Sequence, residues 1–332
     1  MRQALTYDDV ALVPQFNNIP SRTEPSMETW LTKGLKVGMP LVAANMDTVI
    51  SEDLAEVLLA QGSYPIFHRF TPFEEQLKWV KKFEGKTFVS CGILNLDETK
   101  KLLDWALGVC IDVAHGHSDR MFKFIQELKK SHPTKEIIAG NVCTAMAYHD
   151  LVNAGADAVK VGVGPGAACT TRMVTGFGIP QFTAVQDCAR IAEKLRVPLI
   201  ADGGIRTSRD VVLALAAGAS TVMIGKLFAL TEESAAPKRD RNGAREAKFR
   251  GQASADFQND FYGGLKAKTV AEGIDFWAPV TGTANDLIDR LLGGLRSGMT
   301  YGGARSIKEL QRKAEFVQVT GAYMYESRPR PE

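Results

Sequence analysis

The chain has 332 residues, 45% hydrophobic and 23% charged, with 40 Lys and Arg against 38 Asp and Glu. That length fits two average domains or one large barrel, and the composition is that of an ordinary globular enzyme. A net charge of +2 gives no electrostatic case for nucleic acid or a membrane surface, and neither is expected as a partner.

Residues 1–38 carry few periodic signals and read as an N-terminal arm wrapping the domain. From Met39 onward, short apolar runs predict strands at Pro40–Ala44, Tyr64–Phe67, Thr87–Cys91, Val109–Asp112, Glu136–Ala139, Ala158–Val161, Pro198–Ala201 and Thr221–Ile224. Between them lie segments such as Glu52–Gln61, Phe73–Phe83, Ser118–Ser131 and Arg209–Ala217. Their apolar residues recur three and four apart, which is the period of an amphipathic helix. Eight strands alternating with helices predict an α/β chain closed into a (β/α)8 TIM barrel, one catalytic domain spanning residues 1–332. An open doubly wound sheet is the alternative, but no G-x-G-x-x-G follows the first strand. After the eighth strand an insertion from about Thr231 to Thr283, rich in charge and glycine, delays the last helix, expected over Asp286–Arg296 and ending at Ser297-Gly298. Such insertions are lids or disordered, and one attached to the catalytic rim reads as a flap. Arg328–Glu332 reads as a frayed tail. Five cysteines at irregular spacing form neither a disulfide framework nor a zinc pattern. Together with an N-terminus that lacks an apolar signal core, they point to the cytoplasm.

Chemistry in such a barrel gathers at the C-terminal ends of the strands. Polar residues and glycines concentrate there: Asn45-Met46-Asp47, His68-Arg69, Asp112 with His115 and His117, Gly140-Asn141, Asp202-Gly203-Gly204, and Gly225-Lys226. The sixth strand leads into V-G-V-G-P-G-A-A-C-T-T-R (161–172), which places Cys169 in a glycine-rich loop. Gly164 and Gly166 permit a loop whose carbonyls and amides turn inward around an ion or ligand. Arg172 nearby favours a thiolate, so Cys169 reads as a nucleophile and not as a buried structural thiol.

Several of these stretches resemble the IMP dehydrogenase/GMP reductase family: the Cys169 loop, D-G-G-I (202–205), G-N-V (140–142) and A-E-G (271–273). The short spacing from His68 to Thr87 leaves no room for the regulatory CBS modules that many of its dehydrogenases carry. A-N-M-D-T-V (44–49), I-D-V-A-H-G-H-S (111–118) and R-S-G-M-T-Y-G-G-A (296–304) are similar to the reductase branch. The flap S-A-D-F-Q-N-D-F-Y-G-G (254–264) lacks the Arg-Tyr pair with which the dehydrogenases activate water, although K-T-V-A-E-G-I (268–274) is closer to them.

The resemblance implies an NADPH-dependent oxidoreductase that deaminates GMP, or a GMP-like purine nucleotide, reductively to IMP and ammonia. Cys169 would attack carbon 2 of the purine, and Thr171 with Glu272 would relay the proton that ammonia needs to depart. It places Asp202 at the ribose, and Gly204 and Gly225 near the phosphate. Arg250, Gly251, Gln252 and Gly273 are placed elsewhere around the substrate, while Lys226, beside Gly225, reads as a replacement phosphate ligand. Asn45, Asp47, Arg69, Asp112 and Asn141 would meet the cofactor, with Arg69 open to a second reading as an ordinary surface arginine. The carbonyls of Gly164, Gly166 and Cys169 would hold a monovalent cation, K+, and the assembly would be a homotetramer. The chain departs from the family where hydroxyls usually meet the phosphate, having Ala167, Lys226 and Phe249 there. Three other readings stay open: an IMP dehydrogenase without CBS modules, a reductase acting on a 7-deazaguanine nucleotide, and a non-catalytic nucleotide-binding barrel.

Overall fold

The computed structural model describes residues 1–329. Eight parallel strands form the core: β1 (Leu41–Ala43), β2 (Ile66–Phe67), β3 (Phe88–Cys91), β4 (Gly108–Asp112), β5 (Glu136–Val142), β6 (Ala158–Val161), β7 (Leu199–Asp202) and β8 (Thr221–Ile224). Seven ladders join them in the order β2 to β8 and then β8 to β1. Beside the open seam, Gly38 N–H donates to Gly62 O (2.7 Å) and Ser63 Oγ donates to Leu41 O (2.9 Å). The result is the barrel expected from the sequence. The strands are largely apolar because both faces are covered, one by the barrel interior and the other by helices. Val109, Cys110 and Ile111, for example, are fully buried.

The outer ring consists of α1 (Glu52–Ala60), α2 (Phe73–Lys82), α3 (Leu96–Leu103), α4 (Asp119–Ser131), α5 (Ala145–Ala154), α6 (Gln181–Leu195), α7 (Ser208–Ala216) and α8 (Ala284–Tyr301). Hydroxyls start several of them. Ser51, Ser118 and Thr144 accept a backbone N–H three residues on, satisfying one otherwise orphaned donor of the first turn. Helix α8 begins earlier and ends later than the sequence suggests. Thr283 and Asp286 form a capping box at its start, and the helix passes through Gly298 to Tyr301. Gly298 is no stop signal: a Cβ there would lie 2.8 Å from Val212 Cγ2, so the glycine lets α8 pack closely on α7.

The arm is more structured than its sequence suggests. Strand Val10–Leu12 pairs antiparallel with Phe316–Gln318. A hairpin of Thr29–Thr32 and Leu35–Val37 closes the N-terminal end of the barrel. There Lys33 N–H donates to Asp157 O (2.8 Å) and Thr29 Oγ1 donates to Ser220 O (3.0 Å). The insertion after β8 is an ordered flap. Lys238–Arg241, Ala244–Arg250 and Asp275–Pro279 form an antiparallel sheet, and helix Ala255–Tyr262 follows its middle strand. A single helix, α2, joins β2 to β3, which leaves no inserted module there. Among the described residues no helix is long and apolar enough to cross a membrane. Of the expected tail, only Arg328 and Pro329 fall among the described residues.

Candidate active site

A cavity of about 610 Å³ opens at the C-terminal mouth of the barrel. Its wall takes Asn45 from beyond β1, Arg69 from beyond β2, Asp112 from β4 and Asn141 from β5. Lys160 of β6, the loop from Gly162 to Cys169, Thr171, and Asp202 with Gly204 continue it. Gly225 and Lys226 after β8, and Gly251, Gln252 and Glu272 from the flap, complete it. His68, His115, His117 and Gly140 do not border this cavity and, of the residues the resemblance assigned to catalysis or binding, neither do Asp47, Arg250 and Gly273.

Those three act one layer out. Arg250, at the end of the middle flap strand, donates through Nε and Nη2 to Asp47 Oδ2 (2.8 and 2.7 Å). Its Nη1 donates to Asp256 (2.7 Å) and to Asp260 on the flap helix. Burial opposes the Arg250 charge, but the three carboxylates outweigh it and raise its pKa. A guanidinium so engaged ties the flap to the β1 loop. Gly273 pairs with Cys169 across an antiparallel bridge, where a Cβ would come within 3.0 Å of Ala168 O. Only a glycine lets the flap approach the nucleophile loop so closely.

That loop is fixed from several directions. Gly164 adopts a φ of +83°, whereas Gly166 stays out of the left-handed region. The Gly166 carbonyl instead accepts the Cys169 N–H at 3.0 Å. Of the three carbonyls assigned to a cation, one is thus already engaged in the loop. Arg172 donates to Val163 O (3.0 Å) and Ile179 O (2.6 Å), so its hydrogen bonds brace the loop and are not spent on the thiol. Cys169 Sγ donates to Thr171 Oγ1 at 3.2 Å. The flap reaches the same spot: Thr170 N–H donates to Glu272 O (3.0 Å), and Ile274 N–H donates to Ala168 O (2.9 Å). Cys169 and Thr171 of the loop and Glu272 of the flap, distant from them in sequence, therefore share one cavity wall.

The floor of the site holds a charge cluster that the sequence reading passed over. Lys160 is almost wholly buried, with Nζ 3.0 Å from Asp112 Oδ1 and 2.7 Å from Asp202 Oδ2. Burial disfavours its charge, yet the two carboxylates prevail and its pKa is raised. Asn141 Nδ2 donates to Asp202 Oδ2 (2.9 Å) and to Gly162 O (2.8 Å). Gln181 Nε2 donates to Val161 O (2.8 Å) and Asp202 O (3.1 Å), which fixes the backbone of the same residue. The signal in the sequence was a lysine inside an apolar strand, Ala158–Val161. Tyr7, also overlooked, comes from the arm to border the cavity.

Besides Arg172, whose hydrogen bonds go to carbonyls, two cations face the cavity without a carboxylate partner among the described residues. Lys226 opens the short helix Lys226–Ala229, is exposed, and lies 5.4 Å above the Phe276 ring. Phe249 stands edge-on to Phe276, so an aromatic wall backs this cation. Arg69 lies 4.3 Å from the centre of the Phe70 ring, and its buried Nε has no partner among the described residues. Asn141 Oδ1 is likewise buried and unpartnered. These two free polar groups, with Asn45 and Asp112 nearby on the same wall, fit an anionic dinucleotide carrying an amide. Arg69 also borders a second cavity of about 370 Å³, which shares Val113 and Tyr262 with the first. His68, between Arg69 and β2, is buried and its pKa is lowered to about 4.

Comparison with known proteins agrees with this geometry. The IMP dehydrogenase/GMP reductase domain matches residues 4–330. A GMP reductase of Vibrio atlanticus is 35% identical, covering 95% of this chain and 94% of its own. An inosine-5′-monophosphate dehydrogenase of Borreliella burgdorferi is 34% identical, over 99% of this chain and 97% of its own. Among solved structures, a GMP reductase of Trypanosoma brucei in complex with guanosine 5′-monophosphate superposes with a TM-score of 0.93. It is 27% identical, and the match covers 100% of this chain and 98% of that one. The Cys169 loop, the flap docked on it and the eight-stranded barrel are thus those of a member of the IMP dehydrogenase/GMP reductase family, to which this chain belongs.

Proposed function

We propose that the protein is a GMP reductase-like oxidoreductase that converts GMP, or a closely GMP-like purine nucleotide, to the 2-deaminated nucleotide with release of ammonia. The observation that carries this reading is the meeting of Cys169, Thr171 and the flap segment at Glu272 on one wall, with the thiol 3.2 Å from the threonine hydroxyl. Cys169 loses its proton and its sulfur adds to carbon 2 of the purine. The exocyclic amine takes up protons through Thr171 and Glu272 and leaves as ammonium, because an amide anion is too basic to depart. A reduced nicotinamide supplies hydride to carbon 2 when bound, and the carbon–sulfur bond then breaks to regenerate the thiolate. In sum, hydride and two protons enter, and ammonium leaves.

Asp202 is assigned to the ribose, Gly204 and Gly225 to the phosphate with Lys226 beside them, and Gly251 and Gln252 to the base. Asn45, Arg69, Asp112 and Asn141 are assigned to NADPH. Potassium at the Cys169 loop, a homotetramer and a cytoplasmic location belong to the same reading. The lack of an Arg-Tyr pair in residues 254–264 supports reduction over hydrolysis. A dehydrogenase running from IMP with NAD is the second reading, favoured by the segment 268–274 and by the dehydrogenases among the relatives.

Absorbance of the reduced cofactor separates the two. Consumption of NADPH with GMP, accompanied by ammonia, is the expected result. NADH formation from IMP and NAD, with no reaction of GMP, would establish the dehydrogenase instead. Binding without turnover in either mixture would make the barrel non-catalytic.

A further inference from the structure

The Asp202 carboxylate is held asymmetrically. Its Oδ2 accepts from both Lys160 Nζ (2.7 Å) and Asn141 Nδ2 (2.9 Å), while its Oδ1 accepts no hydrogen bond from any described residue. The Asp202 side chain keeps 20% of its surface exposed at the cavity wall, whereas Lys160 keeps 3%. The same ammonium binds Asp112 Oδ1 at 3.0 Å, and Asp112 Oδ2 likewise has no donor among the described residues. One buried cation therefore pins one oxygen of each carboxylate and leaves the other oxygen of each available to a ligand. The two carboxylates lie on different strands, β4 and β7, with β5 and the Lys160 strand β6 between them.

We infer that Lys160 is a positioning residue which orients Asp202 Oδ1 to accept a hydroxyl of the nucleotide ribose and which, through Asp112, ties the substrate side of the site to the cofactor side. The inference rests on the proposed purine-nucleotide reading and adds a residue to it. A carboxylate that receives two charge-directed donors on one oxygen cannot rotate freely, so its second oxygen is presented in a fixed direction. A purely structural ion pair would not require either carboxylate to face the cavity. The strand register allows little adjustment: a Cβ at Gly140, the residue paired with Lys160 across β5 and β6, would sit 2.5 Å from Lys160 Cβ.

The test compares a ribose with a ribose stripped of its hydroxyls. Binding of GMP and of its 2′,3′-dideoxy counterpart is measured by calorimetry to the wild type, Lys160→Met, Lys160→Arg, and the charge-balanced pair Lys160→Met with Asp112→Asn. The pair removes one negative charge along with the positive one, which protects it against the unfolding that two uncompensated carboxylates threaten in the single variant. The wild type is expected to prefer the ribonucleotide by about 10- to 100-fold, the range for hydrogen bonds to a charged acceptor. That preference should fall to within about 3-fold in the Met variants while dideoxy binding is retained, and Arg should restore most of it. Lys160→Met should also raise KM for the nucleotide more than it lowers kcat. Full retention of the preference in a folded Met variant overturns the inference. So does an equal loss for both ligands, which marks a merely structural role. No binding of either nucleotide to the wild type overturns the functional reading itself, and this inference with it.

Discussion

At the residue scale the five thiols are made unequal by their surroundings. Burial raises Cys91 to about 12 and raises Cys110 and Cys188 further, while half-buried Cys143 is raised more modestly. A thiol held protonated in the core is inert, so an electrophilic purine nucleotide should label Cys169 ahead of the other four. Cys169→Ala should lower turnover by at least about a thousandfold. Its melting temperature should stay near that of the wild type, since the side chain lies on a loop and not in the core. Equal labelling of all five cysteines, read by mass spectrometry, would remove the covalent step. Lys226 bears the second residue-scale prediction. Ala167 and Phe249 have no side-chain hydrogen bond to offer a phosphate, and Lys226 on the same wall has no carboxylate partner among the described residues. Lys226→Ser should raise KM for the nucleotide by about 10- to 100-fold and change saturated turnover much less. A wild type that uses the dephosphorylated nucleoside equally well would show that no phosphate is bound there.

At the element scale the flap is a sheet fastened at two points. One is the backbone pairing of Glu272–Ile274 with Ala168–Thr170, and the other is Arg250 between Asp47 and the flap helix. Between them, Leu265–Val270 is exposed throughout. Trypsin is therefore expected to cut first at Lys266 or Lys268, and nucleotide with cofactor should slow the cleavage. Equal rates with and without ligands would show that the flap does not close over the site. Arg250→Met leaves Asp47 buried without its cation. A loss of about 3–5 kcal/mol is expected where such a pair is broken, felt chiefly as faster proteolysis of the flap. Hydrogen exchange would reveal whether the loss is confined there.

At the scale of the whole molecule, His68 ties stability to pH. Its pKa is lowered to about 4 because burial disfavours the imidazolium, whereas an unfolded histidine titrates near ~6.5. Above the unfolded value both states are neutral and the residue adds no slope. As pH falls below it, the unfolded chain takes up a proton that the folded chain refuses, so stability drops by up to ~1.4 kcal/mol per pH unit until the folded value is reached. Urea unfolding at pH 7 and pH 5 should show this drop in the wild type and a smaller one in His68→Asn. Parallel losses in the two proteins would assign the acid sensitivity to other groups.

By itself, the sequence determined the barrel, because strand and helix periods are local and each apolar run such as Val109–Asp112 needs burial on both faces whatever surrounds it. It also marked most of the cavity wall, since polar residues and glycines at the ends of parallel strands converge on one rim by topology alone. What it left undecided were relations between distant segments. Whether Arg250 faces a ligand or three carboxylates depends on where the β1 loop and the flap helix meet. Whether Gly298 ends a helix or lets two helices touch depends on Val212, 86 positions earlier in the chain. Lys160 looked like an interruption of an apolar strand until the closed barrel set Asp112 and Asp202 on either side of it. Charge pairing and close approach act through space, and only the closed fold sets those distances.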